Sequence, residues 1–354
     1  MSDTKALIAM SGGVDSSVAA YLMQQAGADC IGATMMLCDS ALLQQECDNT
    51  GDAQRVAAKL GMPFHILDRT ADFRSHVVDR FIRCYEQGGT PNPCVDCNRH
   101  IKFDVLLRDA FSLGCNCIVT GHYARIAQDP GTGRYLLLRA LDKSKDQSYF
   151  LSCLTQHQLS HIRFPLGELS KEQVRQIAEA QSFLNARKRD SQDICFIPDG
   201  DYKAFMERYT GKRYPDGDFL DQNGNIVGRH NGAVGYTIGQ RKGLGLAMGK
   251  PVYVCHKDME RNTVTIGANE DLFKTTLRAN NWNWISLPQL KEPIRVTAKI
   301  RYRHNEQPAT VYPEADGSAR VEFDEPQRAI TTGQAVVLYD GDLVIGSGTI
   351  IEVL

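Results

Sequence analysis

The chain has 354 residues, 42% of them hydrophobic and 23% charged, with a net charge of −2. That length implies two or three domains, and the composition is ordinary for a soluble protein, with no apolar run approaching a membrane span. Eleven cysteines, an odd count with several isolated among apolar residues, suit a reducing cytosol better than a disulfide framework. No leader is expected, since residues 1–10 run straight into a strand, so a cytoplasmic protein is the expectation. Up to residue 120 strands and helices alternate. Apolar Ala6–Met10, Ile31–Met36, Phe64–Leu67 and Cys117–Thr120 read as strands. Val18–Met23, Asp52–Leu60, Ala71–Tyr85 and His100–Leu113 read as helices, two of them stopped by Gly61 and Gly114. This alternation predicts an α/β fold with a doubly wound parallel sheet, whose ligands bind at the carboxyl ends of the strands. Pro91–Asn98 interrupts the pattern with two prolines and two asparagines and reads as a loop. Residues 135–150 hold a strand and then a polar loop, and Ser170–Ala180 reads as a helix with Ser170 as N-cap and Gln173 closing a capping box. From about residue 201 turn signals become dense, as at Asp216-Gly217, Asn223-Gly224 and Asn231-Gly232, and the apolar runs shorten and alternate. The expected organisation is a nucleotide-binding and catalytic domain at 1–200, a small mainly-β domain at 201–268 and a C-terminal β-barrel at 269–354.

The first strand is followed by Ser11-Gly12-Gly13-Val14-Asp15-Ser16-Ser17 and then by a helix. Strand, glycine turn and helix leave free N–H groups at a helix N-terminus, where the helix dipole also favours an anion. Gly12 and Gly13 let the backbone approach that anion closely. Ser16 and Ser17 can cap the helix or touch phosphate oxygens. The loop lacks the lysine of the ordinary P-loop and is shorter, which argues against plain γ-phosphate hydrolysis. The string resembles the pyrophosphate-binding loop of the ATP pyrophosphatase superfamily. That resemblance implies cleavage of ATP between the α and β phosphates, adenylation of a substrate oxygen, and a role for Asp15 in holding Mg²⁺ and pyrophosphate. Met35, after the second strand, and Gly121-His122-Tyr123 fall on the same rim as this loop.

Cys94-Val95-Asp96-Cys97 allows three readings. A structural zinc site needs four ligands, and no second pair is evident. A redox dithiol belongs at a helix N-terminus in a thioredoxin-like unit, which the opening of this chain is not. A catalytic thiol in a nucleotide-binding enzyme remains, with Cys195 as a further thiol beside polar loop residues. Basic clusters at Arg187-Lys188-Arg189, Lys212-Arg213, Arg241-Lys242 and Arg301/Arg303 let a nearly neutral protein grip a polyanion with one face.

Six motifs in order make a specific resemblance. They are the Ser11–Ser17 loop, Pro91-Asn92-Pro93 with Cys97-Asn98, Thr120-Gly121-His122-Tyr123, Lys145–Phe150, Asp193–Ile197 and Gly239–Gly245. Together they resemble the bacterial tRNA-specific 2-thiouridylases, nearly end to end, through Arg301-Tyr302-Arg303 and Gly333-Gln334. The resemblance implies a sulfurtransferase: ATP adenylates O2 of the wobble uridine of tRNA, a persulfide sulfur attacks C2, and AMP departs. It implies that Ala9, Met10, Ser11, Gly12, Gly13, Val14, Asp15 and Ser16, with Met35 and Gly121, hold ATP, the last two through backbone atoms. It makes Cys195 the persulfide carrier and Cys97 the second thiol, attacking that persulfide or resolving it as a Cys97–Cys195 disulfide by thiol exchange. It places Asn92, Pro93, Cys94, His122, Lys145, Asp146, Gln147, Arg301, Tyr302 and Gln334 against the tRNA, whose anticodon loop presents an unstacked base. A cysteine desulfurase or a relay protein would supply the sulfur, and the tRNAs for Lys, Glu and Gln would be the substrates. The family usually has aspartate after Asn-Pro, taken as an acid or base; here Cys94 stands there, with Asp96 as a displaced stand-in. Cys94, Cys97 and Cys195 together would also suit an iron–sulfur cluster carrying an extra sulfide, the alternative to the persulfide route.

Overall fold

The computed structural model describes residues 4–38, 50–186, 188 and 194–354. Cys47, Arg187 and the polar stretch 189–193 lie outside the described residues. The first half of the chain gives strands β1 (Lys5–Ala9), β2 (Asp29–Met36), β3 (Phe64–Asp68) and β4 (Cys117–Val119), then a hairpin of β5 (Ala124–Gln128) and β6 (Tyr135–Arg139), then β7 (Ile162–Arg163). Five of these form a parallel sheet in the order β3-β2-β1-β4-β7. Its central strand is apolar without alternation because both faces are covered, and Ala6, Leu7 and Ile8 are completely buried. Each such large side chain contributes about 1.5–3 kcal/mol by leaving water. The chain runs outward from β1 to β3 and then returns to β4 on the other side of β1. The strand order therefore reverses between β1 and β4, where doubly wound sheets bind ligands.

The helix Val14–Gln25 follows β1, and Lys171–Ala180 packs beside it. The latter starts as the sequence predicts: the Ser170 side chain accepts from Gln173 N–H, and the Gln173 side chain accepts from Ser170 N–H. Two expectations need correcting. The segment expected as a loop at 91–98 is the start of a helical run over 93–112. Pro93 stands at its first helical position, where its fixed φ and missing N–H cost nothing. The hairpin strand β5 was not anticipated from the sequence, which suggested one strand in 135–150.

Beyond residue 200 come the helix Tyr202–Thr210 and strands β8 (Gly217–Leu220), β9 (Ile226–His230), β10 (Tyr253–Asp258) and β11 (Thr263–Gly267), forming a sheet in the order β10-β11-β8-β9. The last strands are β12 (Phe273–Trp284), β13 (Ile294–Lys299), β14 (Gln307–Pro313), β15 (Ala319–Arg328), β16 (Ala335–Asp340) and β17 (Leu343–Val353). They pair in the order β12-β15-β14-β13-β16-β17, and β17 pairs back onto β12, closing a barrel. Its interior holds Leu277, Val296, Ala309, Val311, Val321, Val336, Leu338 and Ile350. The β5–β6 hairpin is appended to this barrel through Leu138 opposite Leu343 of β17. No described helix is long and apolar enough to cross a membrane.

Candidate active site

The loop after β1 turns through Gly12, whose φ of +70° is the left-handed conformation that glycine adopts without penalty. Gly13 is the N-cap of the following helix and supplies no side-chain cap. The serines do not cap the helix start. Ser16 and Ser17 hydroxyls donate to the Gly13 carbonyl (3.1 and 3.0 Å), and Ser16 Oγ also accepts from Ser11 N–H (3.2 Å). Asn185 Nδ2 donates to the Gly12 carbonyl and to Ser17 Oγ, both at 3.0 Å. These bonds fix the shape of the loop. Met10 is locked behind it: its N–H donates to Ala33 O (2.8 Å), and its carbonyl accepts from Thr34 Oγ1 (2.6 Å).

Asp15 lies between two donors. Lys171 Nζ reaches both its oxygens (2.8 and 2.9 Å), and the Tyr123 hydroxyl donates to Oδ1 (2.9 Å). Lys171 is buried, so this is an ion pair in a low-dielectric surround. Its place beside the phosphate loop was not visible in the sequence, because 156 positions separate it from Asp15 and its helix is explained by the capping box alone. One carboxylate at a phosphate loop is what a magnesium–nucleotide complex needs, since that ion keeps waters and phosphate oxygens as its other ligands.

Gly121, just after β4, presses against the same loop. A Cβ there would stand 2.6 Å from Asp15 C and 2.7 Å from Ser16 N. Both sides of the strand-order reversal thus meet at the loop. His122 follows, with Nδ1 2.7 Å from Thr120 Oγ1. Burial holds its imidazole well below the ordinary histidine range, with the charge of Lys102 acting in the same direction. The ring is neutral at physiological pH.

The cysteines belong to the next layer. Cys94 and Cys97 stand in the first turns of the helical run 93–112, so they share a face as i and i+3 residues. Cys97 is buried in an apolar cluster with Phe73, Phe81, Phe196 and Ile197, against which Met35, Cys38 and Ile194 also pack. The ring of Phe196 meets Phe73 at 5.6 Å, Phe81 at 5.3 Å and Phe205 at 5.3 Å. Residues 194, 196 and 197 therefore anchor the backbone while Cys195 between them stays exposed. Cys94 is exposed too. Burial pushes Cys195 up to about 12 and Cys97 up to about 11, and raises Cys94 as well. Cys195 feels the charges of Cys97 and Cys94, so the three thiols are neighbours, and Cys38 acts on Cys97 as a fourth. Cys38 reads from sequence as an ordinary structural cysteine, because nothing local links it to the pair. Among the described residues, no three His, Cys, Asp or Glu side chains are gathered to hold a metal ion.

The residues expected to face tRNA divide by their present bonds. Gln334 Nε2 donates to the carbonyls of Thr90 (2.9 Å) and Pro91 (3.2 Å), tying the barrel to the segment before Cys94. Arg301 is held by the Ala329 carbonyl (2.5 Å) and Thr331 Oγ1 (2.5 Å). Asp146 accepts from Ala140 N–H, Ser148 N–H and Ser148 Oγ, and Gln147 Oε1 accepts from Tyr123 N–H (2.9 Å). Tyr302 lies 4.3 Å from the Phe150 ring, and Asn98 Nδ2 donates to the Phe150 carbonyl (3.0 Å). Asn92 precedes the helix start and hydrogen-bonds Tyr149. Asp96 is turned to the neighbouring helix, where Arg80 pairs with it at 3.3 Å, although burial raises its carboxyl. Of the basic clusters, Lys188 pairs with Asp52 (2.8 Å) and Lys212 with Glu86 (2.6 Å).

Comparison with known sequences adds the decisive fact. The profiles described as the tRNA methyl transferase HUP domain, the tRNA methyl transferase PRC-barrel domain and the aminomethyltransferase beta-barrel domain match residues 4–199, 203–268 and 274–350. The tRNA-specific 2-thiouridylase MnmA of Clostridioides difficile (strain 630) is 48% identical over 352 residues, covering 98% of each chain. The chain belongs to the tRNA-specific 2-thiouridylase family. The MnmA proteins of Moorella thermoacetica and Heliobacterium modesticaldum are each 49% identical to it, over 97% and 98% of this chain and 98% and 92% of theirs. Among solved structures, the U34-tRNA thiolase NcsA of Methanococcus maripaludis is similar over 59% of this chain and 68% of its own, at 18% identity and a TM-score of 0.37, too slight a likeness to bear on function. As a 2-thiouridylase, the chain is a sulfurtransferase of an ATP-using family.

Proposed function

We propose that this enzyme thiolates C2 of the wobble uridine of tRNA, with ATP cleaved to AMP and pyrophosphate. What supports the proposal is that Cys97 shares an apolar cluster with Met35 of β2 and with Phe196, the residue next to Cys195, while Gly121 presses on the Ser11–Ser17 loop after β1. ATP lies along Ala9–Ser16, with Met35 and Gly121 at its adenosine part. Asp15 would hold Mg²⁺ with the phosphates, and the ion would offset phosphate charge. Adenylation of O2 makes that oxygen a leaving group. The outer sulfur of a Cys195 persulfide attacks C2. Cys97 thiolate then attacks Cys195 Sγ, forming the Cys97–Cys195 disulfide. The S–S bond to the outer sulfur breaks, that sulfur keeps the electron pair and stays on C2, and the C2–O bond breaks to release AMP. A dithiol reductant returns the disulfide to thiols for the next turnover. Residues 1–200 form the nucleotide-binding and catalytic unit, and 201–268 and 269–354 grip the anticodon stem through its phosphates. Asn92, Pro93, Cys94, His122, Lys145, Tyr302 and the free Oε1 face of Gln334 border the target base. The donor is a cysteine desulfurase or a relay protein, and the tRNAs are those for Lys, Glu and Gln.

Incubation of the enzyme with tRNA, ATP, Mg²⁺ and a persulfide donor, followed by nucleoside mass spectrometry, tests this reading. 2-Thiouridine is expected with the parent protein and none with Cys195→Ala. Undiminished product from Cys195→Ala would refute the persulfide assignment.

A further inference from the structure

The backbone carrying the two helical thiols departs from α-geometry. Residues Cys97–Val105 form a π-helical stretch, and Leu106 N–H donates to the Ile101 carbonyl, five residues back. In an α-helix residues five apart point to well-separated sides, at about 3.6 residues per turn. In the wider π turn, residue i+5 stands one turn above residue i, as i+4 does in an α-helix. Lys102 is five residues after Cys97. The π register therefore brings its side chain to the thiol side, where an unbroken α-helix would have carried it away. Ile101 and Phe103, on either side of it, are completely buried, so the backbone at this point is fixed.

Lys102 itself is half-buried, and no described carboxylate forms an ion pair with it. Its charge acts on Cys94, Cys97, Cys195 and His122, and among the described residues it is the cation that acts on all three thiols. The other charged or titratable groups felt at Cys97 are Cys94, Asp96 and Cys38, and all three disfavour its thiolate. His122 is neutral and offers no competing charge.

We propose that Lys102 is the electrostatic partner of the sulfur site, a positioning residue that stabilises the thiolate of Cys97 and the anionic sulfur on Cys195. Burial opposes ionisation of these thiols, and sulfur transfer needs the thiolate rather than the thiol. An opposite charge at close range lowers a pKa by about 1–3 units, so one fixed ammonium recovers part of what burial removes. π-Helical turns concentrate at functional sites, and here the turn has an assignable purpose: it aims a cation.

The proposal rests on the thiols acting as assigned above, but its test needs neither tRNA nor ATP, so the two can fail separately. Reduced full-length parent, Lys102→Gln, Lys102→Met and Lys102→Arg are alkylated with iodoacetamide across a pH series, and modification at Cys97 and Cys195 is resolved by fragment mass spectrometry. With either neutral variant the alkylation midpoints at both cysteines move to higher pH, and the rate at pH 8 falls about tenfold, one pKa unit. Lys102→Arg stays within about twofold of the parent, since the charge is kept. Parent-like alkylation in a folded neutral variant would overturn the proposal. So would loss of folding in both neutral variants while Lys102→Arg folds, since the charge would then serve the fold.

Discussion

Gly121 shows how little room the Ser11–Ser17 loop leaves. Its missing Cβ is the space in which Asp15 and Ser16 sit, because a methyl carbon there would lie under 3 Å from backbone atoms of both. Backbone cannot rotate aside as a side chain can, so Gly121→Ala must displace the loop. Overpacking of this kind costs roughly 1–3 kcal/mol of stability. The functional loss is expected to be larger: ATP affinity, measured by calorimetric titration, falls at least about tenfold because the cradle N–H groups lose their aim. The serine-glycine string and Gly121 were both legible in the sequence, one from its local pattern and the other from its place in an ordered set of motifs. Lys171 and Lys102 were not. Each meets its partners through tertiary placement, one across two helices and the other through a π turn that residue pattern does not announce. Cys38 was hidden for the same reason.

At the level of elements, the segment 194–197 acts as a pinned strap. Phe196 fills a pocket of aromatic edges from three segments, and Ile194 and Ile197 pack beside it. Phe196→Ala removes that anchor, with an expected cost of about 3–5 kcal/mol in urea unfolding. Among molecules that remain folded, Cys195 becomes more readily alkylated, because its backbone loses its fixing points. Parental stability in the Phe196→Ala protein would show that the strap is held by other means. The alternating βα pattern, the capping box at Ser170 and the β-rich second half were readable because each is written in local periodicity or turn chemistry. The 91–98 segment was misread because two prolines and two asparagines signal a loop, yet Pro93 lands at the one helical position that welcomes it. The strand β5 escaped because Ala124-Arg125-Ile126-Ala127-Gln128 holds a single large apolar residue, too weak a pattern to announce a strand, although its partner β6 is next in the chain.

The whole molecule is held together by side chains that satisfy backbone groups on the opposite half. Asn283 Nδ2 donates to the carbonyls of Ser152 and Leu154, both at 2.8 Å. Arg134 donates to the carbonyls of Trp284 and Ile285, both at 3.0 Å, and Gln334 reaches Thr90 and Pro91. Asn283→Ala leaves the Leu154 carbonyl without its donor, while Ser152 O keeps the Ser347 hydroxyl (3.0 Å), so the unfolding free energy falls by about 1–3 kcal/mol, measured by chemical denaturation. An unchanged midpoint would mean that water replaces the amide. The barrel also controls the order of events during synthesis. Hairpin β5–β6 leaves the growing chain early, but its sheet partner β17 is the last strand made. Until that strand emerges, β6 presents an open hydrogen-bonding edge, the kind of surface on which nascent chains mispair. The long loop closed by Leu138 and Leu343 also makes this pairing a late and slow step. A chain that stops short of β17 therefore keeps that edge of β6 unpaired.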